Sequence, residues 1–518
     1  MGTAKGNSRS VMIIGAGIAG LSAGIYAQLN GYRSRIYEMH SLPGGLMTAW
    51  KRKGYTIDGC IHWLTGSGPK SNYYSLWEEI GLIQGRTIYD PEIFSRYEGR
   101  EGQVFSFYTD IGRLEKHLLE IGPEDSALIR KFCAAARSMV GFNLPVSGAG
   151  GFVQNVFGTL RVLPKLLSVL PKLRKWGGMS LGEFSAQLKN PFLRQVFTHM
   201  WMPEMSAGAM LFTMAFLHDK IAGYPMGGSL PMARAVEKRY CDLGGEIHYN
   251  CRVDKILVEA LPGGKGHRAV GVRLADGSEQ RADPDTPVSA VISAADGHAT
   301  IYDMLEGRYL DDKIRKIYAE YPLFPPILLV GLGVNRSFSD LPAATGGIHL
   351  VLSEPMDVAG ETMDHLEFMV YNFDPTLAPE GKTVLTVMIP TKYAYWKEIH
   401  ADRERYQVEK ERIGMETIKR LDQRFPGLAS QVEMIDVATP MTFERHTGNW
   451  QASFEGFLPT PKTLMASIPK TLPGLESFYM AGQWVQAGGG LPSGLSTGRE
   501  VIMRICRKDG IAFGANRG

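Results

Sequence analysis

Six residues near the N-terminus, Gly15-Ala16-Gly17-Ile18-Ala19-Gly20, have the types and spacing to hold a phosphate. They follow Val11-Met12-Ile13-Ile14, an apolar run suited to a buried parallel strand. Leu21 to Leu29 then reads as a helix closed by Asn30-Gly31, and Ser34 to Tyr37 as a second strand ending at Glu38. In such a unit Gly15 permits the tight turn out of the strand. Gly17 lets the backbone approach a pyrophosphate, and Gly20 lets helix and strand pack closely. The helix start at Ile18 and Ala19 directs free N–H groups and a partial positive charge at the phosphates. Glu38 lies 18 residues past Gly20, where a ribose can donate hydrogen bonds to it. Together these are the parts of a dinucleotide-binding βαβ unit. The acid alone does not separate FAD from NAD.

Other reactive side chains are less constrained by pattern. His62, Glu204 and His218 are the candidates for an acid or base, each with a structural hydrogen-bonding role as the alternative. No Ser-His-Asp arrangement or nucleophile elbow stands out, and no metal-ligand spacing is present. Five scattered cysteines without a CxxC pair suggest a reduced, cytoplasmic compartment. The polar Met1 to Ser10 lacks the apolar stretch of a signal peptide, and no run of 18 apolar residues predicts a spanning helix. Net charge is +3 without a basic, aromatic-laced block, which argues against nucleic acid as a partner. A chain of 518 residues is long enough for two or more domains.

Beyond the first unit, Pro43-Gly44-Gly45-Leu46 closely follows Glu38, and Gly54-Tyr55-Thr56-Ile57-Asp58-Gly59-Cys60-Ile61-His62-Trp63 comes next. Gly44-Gly45 let the chain pass close to a flat, charged cofactor. Tyr224 to Leu230, containing Gly227-Gly228, opens a helix from Pro231 to Leu243, and a strand and Cys251-Arg252-Val253 follow. The hairpin at Asp276-Gly277 has good turn chemistry, and Val288 to Ala295 reads as a buried strand. Near the end, Phe478-Tyr479-Met480-Ala481-Gly482 runs into Gln483, then Gly488-Gly489-Gly490-Leu491-Pro492-Ser493 opens a helix reaching about Lys508.

Taken together, these segments resemble the phytoene desaturase, carotenoid isomerase and retinol saturase group of the amine oxidase-like flavoprotein superfamily. The resemblance implies FAD as cofactor. It implies an α/β fold: a Rossmann-like FAD-binding domain (GR2-type flavoprotein) interleaved with an α+β substrate domain containing an antiparallel sheet. It places Gly15, Gly17, Ile18, Ala19, Gly20, Glu38, Met39, Gly44, Gly45, Leu46, His62, Val253, Ala294, Gly482, Gln483, Gly490, Leu491, Pro492 and Ser493 at the cofactor. Val253 matches the family position that meets the adenine through its backbone. The last helix start matches the one facing the flavin's pyrimidine edge. Where the family usually has an acid after the Ala-Gly turn, this chain has Gln483, which brings hydrogen bonding without charge. The implied chemistry is hydride transfer between flavin and carbons of a long apolar polyene or isoprenoid, as desaturase, saturase or isomerase. A quinone, oxygen or NAD(P)H would be the electron partner. The alternatives are an amine oxidase-like flavoenzyme acting on a small amine and a non-enzymatic, flavin-bound membrane chaperone.

The expected FAD-binding domain comprises 1–100, 222–300 and 436–518, and the substrate-binding domain 101–221 and 301–435. In the latter, Ile327 to Val334, Gly347 to Leu352, His365 to Phe373 and Thr383 to Ile389 predict a largely antiparallel sheet, and Arg403 to Arg424 a charged amphipathic helix. The Met/aromatic stretches Met200 to Met205 and Met210 to His218 either line a tunnel for an apolar chain or are plain core. The basic, acid-free segment 160–176 suits a peripheral contact with an anionic membrane, although Pro164 and Pro171 forbid one uninterrupted ideal helix; the alternative is a basic, solvated helix.

Overall fold

The computed structural model describes residues 9–142, 169–264, 266–281 and 288–515. Its organising element is a five-stranded parallel sheet, in the order Phe478–Met480, Val288–Ser293, Ser10–Ile14, Arg33–Tyr37, Glu246–His248. Val11 to Ile14 are all buried, as a central parallel strand covered on both faces requires. Each neighbour comes from a different stretch of chain, so residues hundreds of positions apart meet at one sheet edge.

The helix Ile18–Leu29 is buried along nearly its whole length, which explains why it shows little amphipathic pattern. It owes this position to small residues. A Cβ on Gly20 would lie 1.9 Å from the Gly15 carbonyl oxygen, one on Gly24 2.6 Å from the Tyr240 ring, and one on Gly498 2.5 Å from the Ala19 carbonyl oxygen. The strand and the helices around it therefore approach too closely for any side chain at these points.

A second, seven-stranded sheet has the order Val432–Ala438, Ile327–Val334, Thr383–Pro390, Glu361–Val370, Ile348–Val358, Ile93–Glu98, Val104–Tyr108. All its pairings are antiparallel except Ile348–Val358 with Ile93–Glu98, so it is mixed. The four expected runs are its centre, and three further strands extend both edges. The helix Arg403–Arg424 packs across it, burying Ile413, Ile418 and Leu421. The fold is thus a mixed α/β one. The short, mixed-polarity strand Ile93–Glu98 gives little alternation to read, and it joins this sheet from before position 100.

A layer of helices, including Ile111–Ile121, Ser126–Met139, Pro191–His199 and Ala207–His218, closes the other side around a core of Phe132, Phe184 and Phe197. Residues 169–177 are helical, and Trp176 packs its ring 5.5 Å from Phe132. The expected membrane-facing tryptophan is therefore a core residue. The rest of that segment, including Arg161 and Lys165, lies outside the described residues. Among the described residues no helix is long and apolar enough to cross a membrane.

Candidate functional site

The strand Ser10–Ile14 ends at Gly15, whose φ of +94° turns the chain and whose amide donates to the Tyr37 carbonyl at 2.8 Å. The helix then begins at Gly17 without a side-chain cap. Several other helices are capped, with Ser71, Asp110, Asn190 and Ser206 each accepting from a first-turn amide, while others, such as Ser229–Asp242, are not. The first-turn amides after Gly17 have no intrahelical partner and stay directed outward. A Cβ on Gly17 would meet no protein atom nearer than Gly44 O at 3.9 Å, so the space in front of these amides is open. Gly44 brings the second glycine pair against this turn by donating to Ala16 O at 2.8 Å. A second uncapped helix, Gly490–Lys508, starts at Gly489 and borders the same space. Two positive helix ends and an open glycine cradle suit an anionic dinucleotide.

Glu38 is buried, and its carboxylate accepts from the Ala16 amide at 2.7 Å and the His40 amide at 2.8 Å. Burial pushes its carboxyl up, and the amide bonds hold it back. Both oxygens keep lone pairs for a sugar hydroxyl. Asp58 ties two distant motifs together. Its buried carboxylate accepts from the Cys60 and Ile61 amides and from both the amide and hydroxyl of Ser229. Gly228 is required beside it, since a Cβ there would lie 2.3 Å from Asp58 Oδ2. Asp58→Ala would leave the Cys60 amide and both the amide and hydroxyl of Ser229 without this acceptor, at the cost of roughly 3–5 kcal/mol. The expected result is a fall in Tm of about 3–5 °C together with loss of the bound dinucleotide. An unchanged Tm in thermal denaturation would contradict this role.

One cavity of about 1060 Å³, at the top of the usual ligand-pocket range of about 300–1000 Å³, connects these parts. Gly15, Gly17, Ile18, Ala19, Glu38, Met39, Gly44, Gly45, Leu46, His62, Val253, Ala294, Gly482, Gln483, Gly490, Leu491, Pro492 and Ser493 all line it. Gly20 does not; it sits behind, against Gly15. From His62 the cavity continues into a chamber walled by Met200, Trp201, Met202, Met205, Phe212 and Phe216. Trp63 bridges the two ends, its ring 5.0 Å from Phe94 and 6.5 Å from Trp201. The Met/aromatic stretch thus serves both readings. These residues line the chamber, while Met210, Leu211 and Met214 are core.

Two of the three candidate acid–base residues are not at the cavity. Glu204 is exposed, and His218 Nδ1 accepts from the Ile111 amide at 3.3 Å, at a helix start beside Asp110. Sequence offers no geometry, and both were chosen by type alone. His62 does line the cavity, and burial pushes its imidazole down to about 4, so it is neutral at pH 7. Glu455 and Glu367 are the carboxyls that pattern reading missed. Each lines the cavity, and burial pushes each up to about 7. A Glu455 carboxyl oxygen lies 3.6 Å from where a Cβ would stand on Gly490. The one available signal was the glycine run itself. Gly489 has no room for a side chain because Glu455 O would be 2.3 Å away.

The model of the flavin-containing amine oxidoreductase family matches residues 18–505. The chain is 24% identical to the chloroplastic prolycopene isomerase of Arabidopsis thaliana, over 96% of this chain and 83% of that one. It is also 24% identical to the neurosporene-forming phytoene desaturase of Rhodobacter capsulatus, over 97% and 94%. In fold it is similar to an oxidoreductase from Methanosarcina mazei, with a TM-score of 0.58, 18% identity, and 96% of this chain and 100% of that one covered. A putrescine oxidase structure gives 0.57 at 14% identity, with 96% and 99% covered. This match along nearly the whole chain, with the dinucleotide cradle built as described, makes the protein an FAD-dependent oxidoreductase belonging to the flavin-containing amine oxidoreductase family.

Proposed function

We propose that this enzyme acts on carbon–carbon bonds of a long apolar polyene or isoprenoid, a carotenoid- or retinoid-like molecule, as desaturase, saturase or isomerase. The observation that carries the reading is the single cavity joining the glycine cradle to a Met- and aromatic-walled chamber. Met side chains adapt to a long, featureless ligand, and the surrounding rings add apolar contact area. The relatives named for prolycopene and phytoene agree with that chemistry. A small amine would call for a narrow, polar pocket instead.

In this reading the FAD-binding parts are 1–100, 222–300 and 436–518, interleaved with substrate-binding parts 101–221 and 301–435. Gly15, Gly17, Ile18 and Ala19 hold the diphosphate through backbone amides, and Glu38 holds a ribose. Gly20 sets the helix packing. Met39, Gly44, Gly45 and Leu46 flank the nucleotide, Val253 meets the adenine, and Ala294, Gly482 and Gln483 complete the wall. Gly490 to Ser493 would hold the flavin end of FAD with the second uncapped helix start, whose positive end would favour negative charge there. FAD supplies hydride acceptance or donation. Glu455, beside Gly490, holds or releases the proton that accompanies it. His62 stays neutral and contributes shape rather than charge. The electron partner is a diffusing quinone, oxygen or NAD(P)H.

The test is anaerobic. Purified yellow protein is extracted and its lipid identified by mass spectrometry, then fresh protein is mixed with polyenes and with small amines. Bleaching or re-oxidation of the flavin by polyenes, or isomerisation of the polyene while the flavin stays reduced, with no response to amines, is the expected outcome. Reduction by amines and not by polyenes would sink the proposal.

The chamber also gives a place for membrane contact. Leu173 and Met465 line the cavity. Met465 is 80% exposed, Leu170 is 46% exposed, and Arg174 and Lys175 point outward close to Leu173 in the chain. Reversing charge at Lys172, Arg174 and Lys175 removes about 1 kcal/mol per residue of attraction to an anionic leaflet. Flotation with anionic liposomes should fall roughly a hundredfold, by about 3 kcal/mol. Undiminished flotation would remove this surface from consideration.

A further inference from the structure

His199 lies 165 residues before the adjacent pair Asp364-His365, and no spacing pattern connects it to them. The fold nevertheless brings a donor atom of each within 4.8 Å of the other two. His199 ends the helix Pro191–His199, and Asp364 and His365 stand on the strand Glu361–Val370. The two imidazoles stack with centroids 4.3 Å apart and planes 2° apart. Each ring is oriented through Nδ1. That of His199 meets the Tyr97 hydroxyl at 2.9 Å, and that of His365 meets the Asp364 carboxylate at 2.9 Å. In metal centres the nitrogen away from the ligand is anchored as Tyr97 anchors His199, leaving Nε2 for the ion.

A second observation points the same way. In the neighbouring strand Val351 faces His365, so His349, two residues along, lies on the same side of the sheet. His349 is only 2% exposed, its Nδ1 has no hydrogen-bond partner, and it lies near enough to His199 and His365 to feel their charge. An unpartnered buried ring nitrogen is costly, and beside this trio it is a further donor.

We propose that His199, His365 and Asp364 bind one divalent transition ion of the zinc class at the edge of the chamber, with His349 as the adjacent fourth donor. Two imidazoles and a carboxylate suit Zn²⁺ and its neighbours, whereas Mg²⁺ and Ca²⁺ prefer oxygen throughout. Donors at about 2.1 Å from a common ion lie about 3.4 Å apart in tetrahedral geometry, which these side chains reach by χ rotation. Asp364 is 56% exposed, so its carboxylate can swing. His199 and His365 line the cavity, so a fifth position on the ion, added to the four protein donors as Zn²⁺ permits, faces the chamber. It fits an oxygen, such as a hydroxyl, at the end of an otherwise apolar ligand.

The test uses untagged, flavin-loaded full-length protein, stripped with a chelator and titrated with Zn²⁺ alone, with Mg²⁺ as the comparison. One Zn²⁺ per chain by elemental analysis and calorimetry, and no Mg²⁺, is expected. His199→Ala, His365→Ala and Asp364→Asn should each weaken Zn²⁺ at least tenfold while flavin content stays constant. If a histidine variant loses flavin, the exposed Asp364→Asn decides. Absence of stoichiometric Zn²⁺ uptake by the unmutated protein, or equal uptake by Asp364→Asn, overturns the site. This readout needs no turnover, so it is independent of whether polyenes are the substrate.

Discussion

Gly17→Ala should yield a folded, colourless protein. The Gly17 backbone has φ −67° and ψ 173°, which any residue adopts, and its Cβ would have 3.9 Å to the nearest protein atom. Folding therefore has little reason to suffer. The added methyl group stands in the space the diphosphate would fill, holding it off the amides of the following turn. FAD affinity should fall at least a hundredfold, or about 3 kcal/mol, read by equilibrium dialysis and by the absorbance of the purified protein. Gly20→Ala is the control of opposite kind. Its Cβ would collide with Gly15 O at 1.9 Å, so stability and flavin should be lost together. Full FAD affinity in the Gly17 variant would mean that the diphosphate lies elsewhere.

For Glu455→Gln the expectation is a fall in kcat of about 10²- to 10⁴-fold with flavin content intact, the usual range for a positioned acid or base. Burial pushes Glu455 up to about 7, so the rate should have a limb near that pH, and the variant should lose it. The sign reports the reaction direction. If Glu455 accepts a proton, as in desaturation, the rate rises through pH 7; if it donates one, the rate falls. Stability separates this from misfolding. A carboxyl whose pKa is raised on folding costs nothing below its unfolded value of 4.5, and the cost grows as pH rises to about 7. Glu455→Gln should thus match the parent at pH 4 and exceed it at pH 8, by on the order of 3 kcal/mol from about 2.5 pKa units. Full activity across the pH range in the variant would remove Glu455 from the chemistry.

The cradle was legible in the sequence because its requirements are local. Gly15, Gly17, Gly20 and Glu38 belong to one strand–turn–helix–strand, and each residue type follows from backbone geometry. The helix Arg403–Arg424 and the strand Ile327–Val334 were legible for the same reason, a run of residues with one periodicity. Side chains that meet only through packing were not. Glu455 gains its surroundings from Gly489 and Gly490, and His199 meets His365 across the chamber. Glu204 and His218 show the reverse error, since a reactive side chain type says nothing about where it will point. The segment 160–176 reads by composition as an interface, but Phe132 and Phe184, on two neighbouring helices, supply its Trp176 with a core.

The central sheet takes its outer strand from residues 478–480, and Ser22 in the first helix donates to the carbonyl of Leu495. A nascent chain growing at about 5–20 residues per second thus carries its cradle for tens of seconds before the partner segments emerge. Loop closure over such a span slows folding, so the sheet closes only once residues 478–495 have emerged, and the apoprotein is exposed meanwhile to chaperones and proteases. Ligand that binds only the finished form draws the population forward by mass action. Cellular abundance of this protein should therefore track riboflavin supply, and removal of its last twenty residues should be felt first as degradation rather than as altered catalysis.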